Sequence, residues 1–215
     1  MRRVPAIAAA AIVLTISLSG PSSARSGDVD ESLLQPSLSP TFAPWTCTLK
    51  DSGPVCVGTR VVDTGWVLDE EIPCDVPLYN RHTEIRTQIR YYDDDYLNYD
   101  RRFRTRDLDQ YGTSPDGPAG VSIRANLRFQ EPFAVPGDDS TIDLLAQGVF
   151  WDMKDSDGHR LLMAVGSSFE PHDGDGTFTG HVTQDGVTAR FVDAPLDDIL
   201  DIDWFFATIC EEARG

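Results

Sequence analysis

Arg102, Arg104 and Arg106 stand two residues apart, a spacing that puts three guanidinium groups on one face of an extended strand. Tyr96 and Asn98 fall in line with them. A planar guanidinium holds a carboxylate or sulfate through two parallel hydrogen bonds. The segment therefore reads as an anion- or ligand-binding surface built from Tyr96, Arg102, Arg104 and Arg106. The plainer account is cross-strand pairing of these arginines with Glu84 or with the abundant aspartates.

Other residue types that carry chemistry are present without the spacing it requires. An EF-hand loop wants acids at positions 1, 3 and 5, Gly at 6 and Glu at 12. Gly158 in sixth place puts Met153 first, and Gly176 puts Pro171 first, so these Asp-Gly clusters read as hairpin turns. Four histidines, His82, His159, His172 and His181, are scattered and read as surface or half-buried residues, although His159 and His181 fall on neighbouring predicted strands that could bring them together. Gly166-Ser167-Ser168-Phe169 lacks the second glycine of a nucleophile elbow. No glycine-rich phosphate loop is present, and nothing calls for a metal or cofactor.

Four cysteines, Cys47, Cys56, Cys74 and Cys210, allow three pairings. We favour Cys47–Cys56, clipping a loop that contains Gly53-Pro54, and Cys74–Cys210, tying the start of the sheet to the C-terminus. A zinc site would want ligands paired at short spacing, which these positions do not supply.

The oxidising compartment that disulfides need is foreshadowed by the first residues. Arg2 and Arg3, an apolar run from Val4 to Leu18 and Ser22-Ser23-Ala24 form the three parts of a secretory signal peptide over residues 1–24. The run is too short to span a bilayer, which takes roughly 20 residues. The mature chain is expected to be secreted, with no membrane insertion. Removing residues 1–24 takes two arginines and no acid, so the net charge moves from −17 to −19. So acidic a chain repels nucleic acid. Its charge is uneven: residues 81–128 hold nine arginines against eight acids, whereas residues 129–215 hold four basic groups against eighteen acids.

Residues 25–44, rich in Ser, Pro and acids, read as a disordered linker, and a single β domain is expected over residues 45–213. Period-two alternation dominates it. Val121, Ile123, Ala125, Leu127 and Phe129 alternate with polar residues, a strand with one apolar face turned inward. Ile85, Thr87, Ile89 and Tyr91 alternate with Glu84, Arg86, Gln88 and Arg90 and read the same way. Arg101 intrudes on the apolar face of the next strand. Gln184-Asp185-Gly186 marks a hairpin between Phe178–Val182 and Val187–Phe191. About eight strands follow, near 59–68, 82–92, 96–107, 120–130, 141–152, 159–169, 177–184 and 187–193. Short connections make the fold an all-β, single antiparallel up-and-down barrel or sandwich. Residues 196–213 fit a helix with Ile199, Ile202, Phe205 or Phe206, Ile209 and Ala213 on one face, after an Asp-rich first turn. Leu200, Ile202, Trp204 and Phe206 also alternate as a strand would; we choose the helix.

Cys74, Tyr91-Tyr92-Asp93-Asp94-Asp95, Pro136-Gly137-Asp138 and Ile209-Cys210 together resemble a diffuse class of small exported β-domain proteins of high-GC Gram-positive bacteria. The resemblance covers residues 74–213. It implies a barrel-like domain and a Cys74–Cys210 bridge, and it assigns no activity. Cys47, Cys56 and the many arginines depart from it. The sequence thus leads to an exported, non-catalytic binding module for a small apolar molecule or an extracellular protein. The rival is an extracellular enzyme acting on a cell-wall or carbohydrate-like substrate through paired carboxylates.

Overall fold

The computed structural model describes residues 28–214. The signal peptide expected over residues 1–24 lies outside them. Alternating apolar and polar residues broken by Asp, Gly and Pro turns produce ten antiparallel strands. These are β1 (Thr46–Lys50), β2 (Gly53–Asp63), β3 (Val67–Asp69), β4 (Leu78–Tyr92), β5 (Asn98–Gly112), β6 (Val121–Pro132), β7 (Leu144–Asp155), β8 (Arg160–Glu170), β9 (Thr177–Gln184) and β10 (Val187–Pro195). The chain then forms one α-helix, α1 (Ile202–Glu212).

The strands make one sheet in the order β1-β2-β4-β5-β6-β7-β8-β9-β10, with β3 beside the start of β4. This is the expected up-and-down order. The hairpin joining β9 and β10 turns on Asp185 and Gly186, both at positive φ, which matches the twist of paired strands. Two more strands form than expected, because β1 and β2 begin ahead of residue 59 and β3 is separate. The sheet does not close into a barrel, since β1 and β10 are both edges. The β1 edge is five residues long. Along β10 a bulge between Phe191 and Ala194, a left-handed Asp193 and Pro195 discourage further pairing.

One face of the sheet carries the main core. Val121, Ile123, Met153, Leu162, Ala164, Phe178 and Val182 pack there with Ile199, Ile209 and Ala213 from the C-terminal segment. Phe178 meets Phe150 and Phe191 edge-on. The helix choice holds from Ile202 onward, whereas Leu196–Asp198, expected as its Asp-rich first turn, form a separate 3-10 turn and Ile199 lies between the two. Asp201 caps α1 by accepting from the amides of Asp203 and Trp204, and Asp203 in the first turn suits the helix dipole. Ile202, however, is exposed rather than part of the packed stripe. Gly120 lets the helix end approach the sheet, since a Cβ there would lie 2.1 Å from the Glu212 carbonyl oxygen. Both favoured disulfides are present, Cys47–Cys56 across the β1–β2 ladder and Cys74–Cys210 from the β3–β4 connection to α1.

The expectation for β4 is overturned. Glu84 is 3% exposed, Gln88 1% and Arg90 6%, whereas Ile85 is 53% exposed. The polar residues of this strand face inward and the aliphatic ones outward. A buried charge is tolerated only when paired, and here the partners exist. Arg60 grips Glu84 at 2.6 and 2.7 Å, Arg86 approaches the same carboxylate at 3.1 Å, and Arg90 donates to the Ser37 carbonyl.

That last contact corrects a second expectation. Residues 28–44 are not a disordered tether but a strap across this polar half of the inner face. Leu34 and Phe42 are buried in it. Gln35 donates to Tyr96 and accepts from the Asn98 amide, Tyr92 donates to the Pro36 carbonyl, and the Arg60 and Arg90 guanidinium groups stack on Phe42 and Trp45. Apart from two single 3-10 turns, Glu31–Leu33 and Pro40–Phe42, this Pro- and Ser-rich segment is extended, so the Pro36 and Ser37 carbonyls between them are free to accept from buried tyrosine and arginine. The Asn98 amide should therefore exchange with deuterium as slowly as the core ladder of β6. Exchange as fast as an open loop would contradict the strap.

Candidate functional site

The opposite face of the sheet is set by the same register. Ile85, Thr87 and Ile89 of β4 oppose Arg106, Arg104 and Arg102 of β5. On the far side Arg102, Arg104 and Arg106 oppose Gln130, Arg128 and Asn126 of β6, and Leu108 opposes Arg124. The three expected arginines thus share a face, and two more join them from β6. Arg104 and Arg128 stand directly opposite each other. Like charges in that position destabilise a sheet.

Cross-strand pairing does not absorb these charges. Glu84, the expected partner, lies on the inner face with Arg60 and Arg86. Burial pushes its carboxyl up, but hydrogen bonding from Arg60 and the nearby guanidinium charges outweigh this and hold it below the usual range. Arg102 does pair, with Asp100 at 2.9 Å, and lies over the Tyr91 ring; the bond raises its pKa further. Arg104, Arg106, Arg124 and Arg128 make no ion pair among the described residues. Asp152, opposite Arg124, is held instead by Arg160 at 2.7 Å and Lys154 at 3.8 Å.

Tyr96 is not brought to this surface. It sits in the β4–β5 turn at φ 63, and packs with Leu34 under the strap. The left-handed turn breaks the alternation, so Tyr96 does not fall in line with the arginines. Asn98 is likewise buried, bonded to the Tyr91 carbonyl and to Arg101.

Around the arginines the face forms a groove of about 810 Å³ reaching from β4 to β10. Arg102, Arg104 and Arg128 line it, with Leu145 and Phe169 supplying apolar surface and Gln130, Gln147, Thr177 and Thr179 neutral polar groups. Leu145 is 40% exposed and Phe169 42%. A single carboxylate, Asp193, lines the groove, and it accepts from Thr179. A second cavity of about 450 Å³ adjoins it over β2, β4, β5 and β6, lined by Val61, Ile85, Leu108, Arg106 and Arg124 and also by Asp63, Glu84 and Asp107, of which Asp63 is paired with Arg81 and Glu84 with Arg60.

The loop joining Phe169 to Thr177 is pinned by His172, whose Nδ1 lies 2.7 Å from Asp143. The bond raises the His172 pKa and lowers that of Asp143. The histidine side contributes stability fully below about 6.5 and loses it as pH rises through its raised value. The carboxylate side contributes above about 3.8 and loses it as pH falls through its lowered value. The loop should be held most firmly between those limits. An NMR titration should show His172 titrating above 6.5, and a value below that would remove the ion pair.

His159 bonds Asp155 within the β7–β8 turn, and His181 lies opposite Val165 and Arg190, so the two histidines do not form a site. His82, Glu84 and Asp107 do converge, with one ligand atom from each within 4.8 Å of the others. The β4–β5 register creates this cluster, which no short motif announces. Glu84 is already gripped by Arg60 and Arg86, and His82 Nδ1 faces Asp109 at 2.8 Å, so the group is accounted for as a structural ion network.

These features define an open antiparallel sheet with one face sealed by a helix and a strap and the other presenting an arginine-lined groove. No protein-family model matches the chain. No curated protein and no solved structure matches it either. No helix among the described residues is long and apolar enough to cross a membrane.

Proposed function

We propose that this protein is an exported binding module, and that the outer groove takes an anionic ligand with an apolar portion. The observation that carries the reading is the Arg104–Arg128 pair. It faces itself across two strands without a carboxylate, in a chain with 35 acids to spare. An uncompensated like-charge pair weakens the free protein and becomes favourable once an anion bridges it. Leu145 and Phe169 beside the pair suit the uncharged body of such a ligand. Two disulfides suit an oxidising compartment, and together with the signal-peptide pattern read in residues 1–24 they support secretion. The lone carboxylate in the groove supports binding over a paired-carboxylate mechanism, which needs two.

Anilinonaphthalene sulfonate, a sulfonate on an aromatic body, is a suitable first probe. Its fluorescence should report saturable binding to the mature protein. Arg104→Gln with Arg128→Gln should weaken it by about tenfold or more, the worth of a charged hydrogen bond. The single variant Arg128→Gln should leave the melting temperature unchanged or slightly raised, because it relieves repulsion. Equal affinity of the double variant and the parent would rule out the arginine groove as the site.

A further inference from the structure

We infer that the groove's ligand is an extended acidic glycan, a chain of uronate-type sugars, held along the β5–β6 strand axis. The inference rests on the anion-binding reading above and names the class of ligand for that same face.

The unpaired arginines do not stop at the groove. Arg104 and Arg128 line the larger cavity, and Arg106 and Arg124 line the second. In the β5–β6 ladder these four fall at three levels, opposite Arg128, Asn126 and Leu108. Residues two apart on a strand are about 7 Å apart. From Arg102 to the level of Leu108 the basic stripe runs about 20 Å along the strands. A single small anion would occupy one of these levels and leave the rest unneutralised. A linear chain with a negative charge on each unit would satisfy all of them together.

The groups between the charges point to a sugar. Thr87 opposite Arg104, Asn126 opposite Arg106, Gln130 opposite Arg102 and Gln147 opposite Arg128 offer amide and hydroxyl groups that both donate and accept, as sugar hydroxyls require. Ile85 and Ile89 on β4 and Leu145 on β7 flank the stripe with aliphatic surface, which Phe169 extends on β8, and such surface suits the C–H faces of pyranose rings. Bases of a nucleic acid would want a row of exposed aromatic platforms along the track, whereas Tyr91 on β4 is covered by Arg102 and Phe169 stands on β8, two strands beyond β6. The chain's strong overall negative charge further disfavours any polyanion that spreads beyond the stripe, so a narrow single chain fits best.

Calorimetric titration of the mature, disulfide-bonded protein with oligogalacturonates tests this. The hexamer should bind about a hundredfold more tightly than the dimer, the gain expected when linked charges engage adjoining subsites. Its affinity should fall steeply with added salt. Arg106→Gln with Arg124→Gln should bring the hexamer down toward the dimer, while neutral maltohexaose should not bind. Equal binding of dimer and hexamer, both lost in the Arg104/Arg128 variant, would overturn the extended-chain inference and leave the anion groove standing. Binding of the sulfonate probe but of no galacturonate would do the same. An oligothymidylate of equal charge binding more tightly than the hexamer would overturn the glycan class. If neither the sulfonate nor any oligomer bound, the underlying reading would fall with it.

Discussion

Replacing Cys74 and Cys210 together by serine should lower stability by about 5 kcal/mol, because the bridge closes a loop over most of the chain. For a domain of this size that corresponds to a fall of roughly 10–20 °C in melting temperature. The reason lies in what else holds α1. Ile209 and Ala213 are buried and Phe205 and Phe206 only partly, while Ile202 faces solvent, so the helix has a narrow packed stripe. Hydrogen exchange in the double variant should speed up first in residues 199–213, ahead of global unfolding. The Cys47/Cys56 double variant should cost less, about 3 kcal/mol for its short loop, and leave α1 protected. A melting temperature unchanged on losing Cys74–Cys210 would show that apolar packing alone anchors the C-terminus.

The second large effect is expected at Glu84. Its carboxylate is 3% exposed and accepts from Arg60 at 2.6 and 2.7 Å. Glu84→Ala would leave the Arg60 and Arg86 charges facing a buried gap. A broken buried pair costs about 3 kcal/mol or somewhat more, moderated here because both arginines are about one-third exposed. Urea unfolding of the variant measures this directly. The acid limb of stability should change as well. With its folded pKa lowered, Glu84 contributes stability above about 4.5 that is lost as pH falls through the lowered value. Glu84→Gln should flatten that part of the profile. A cost below ~1 kcal/mol, the scale of a surface pair, would mean that the network is not buried in solution.

How far the fold was legible from sequence depended on where each strand finds its partners. On β6 the alternation of Val121, Ile123 and Leu127 with Ser122, Arg124 and Arg128 points to the right face, because Val121 and Ile123 join the main apolar core and Leu127 is buried on the same side. On β4 the same pattern pointed the wrong way. The inner partners of Glu84 and Arg90 are Arg60 from β2 and the Ser37 carbonyl of the strap, and a rule that puts aliphatic residues inside has no knowledge of them. The strap hid for a related reason. Its Ser/Pro composition matches a disordered linker, and what orders it is the polar surface beneath. The hairpin turn at Asp185-Gly186 and both disulfides were readable because their signals are local or forced by few alternatives.

The site divides along the same line. That Arg102, Arg104 and Arg106 share a face follows from spacing alone, and the structure keeps it. That Arg104 meets Arg128 required the β5–β6 register, which spacing within one strand does not contain. Tyr96 was assigned to the stripe by extending the alternation through a turn, where a left-handed residue resets its phase.

The most direct test of the arginine groove is to map a bound anion on the protein. Amide chemical shifts of the isotope-labelled mature protein should be followed during titration with anilinonaphthalene sulfonate. The account predicts that the largest changes cluster at Arg102, Arg104, Arg128, Leu145, Phe169 and Thr179, and that they vanish in the Arg104/Arg128 double variant. Changes centred instead on α1, including its Trp204, and on Trp151 packed against it, or changes that persist without the two arginines, would contradict it.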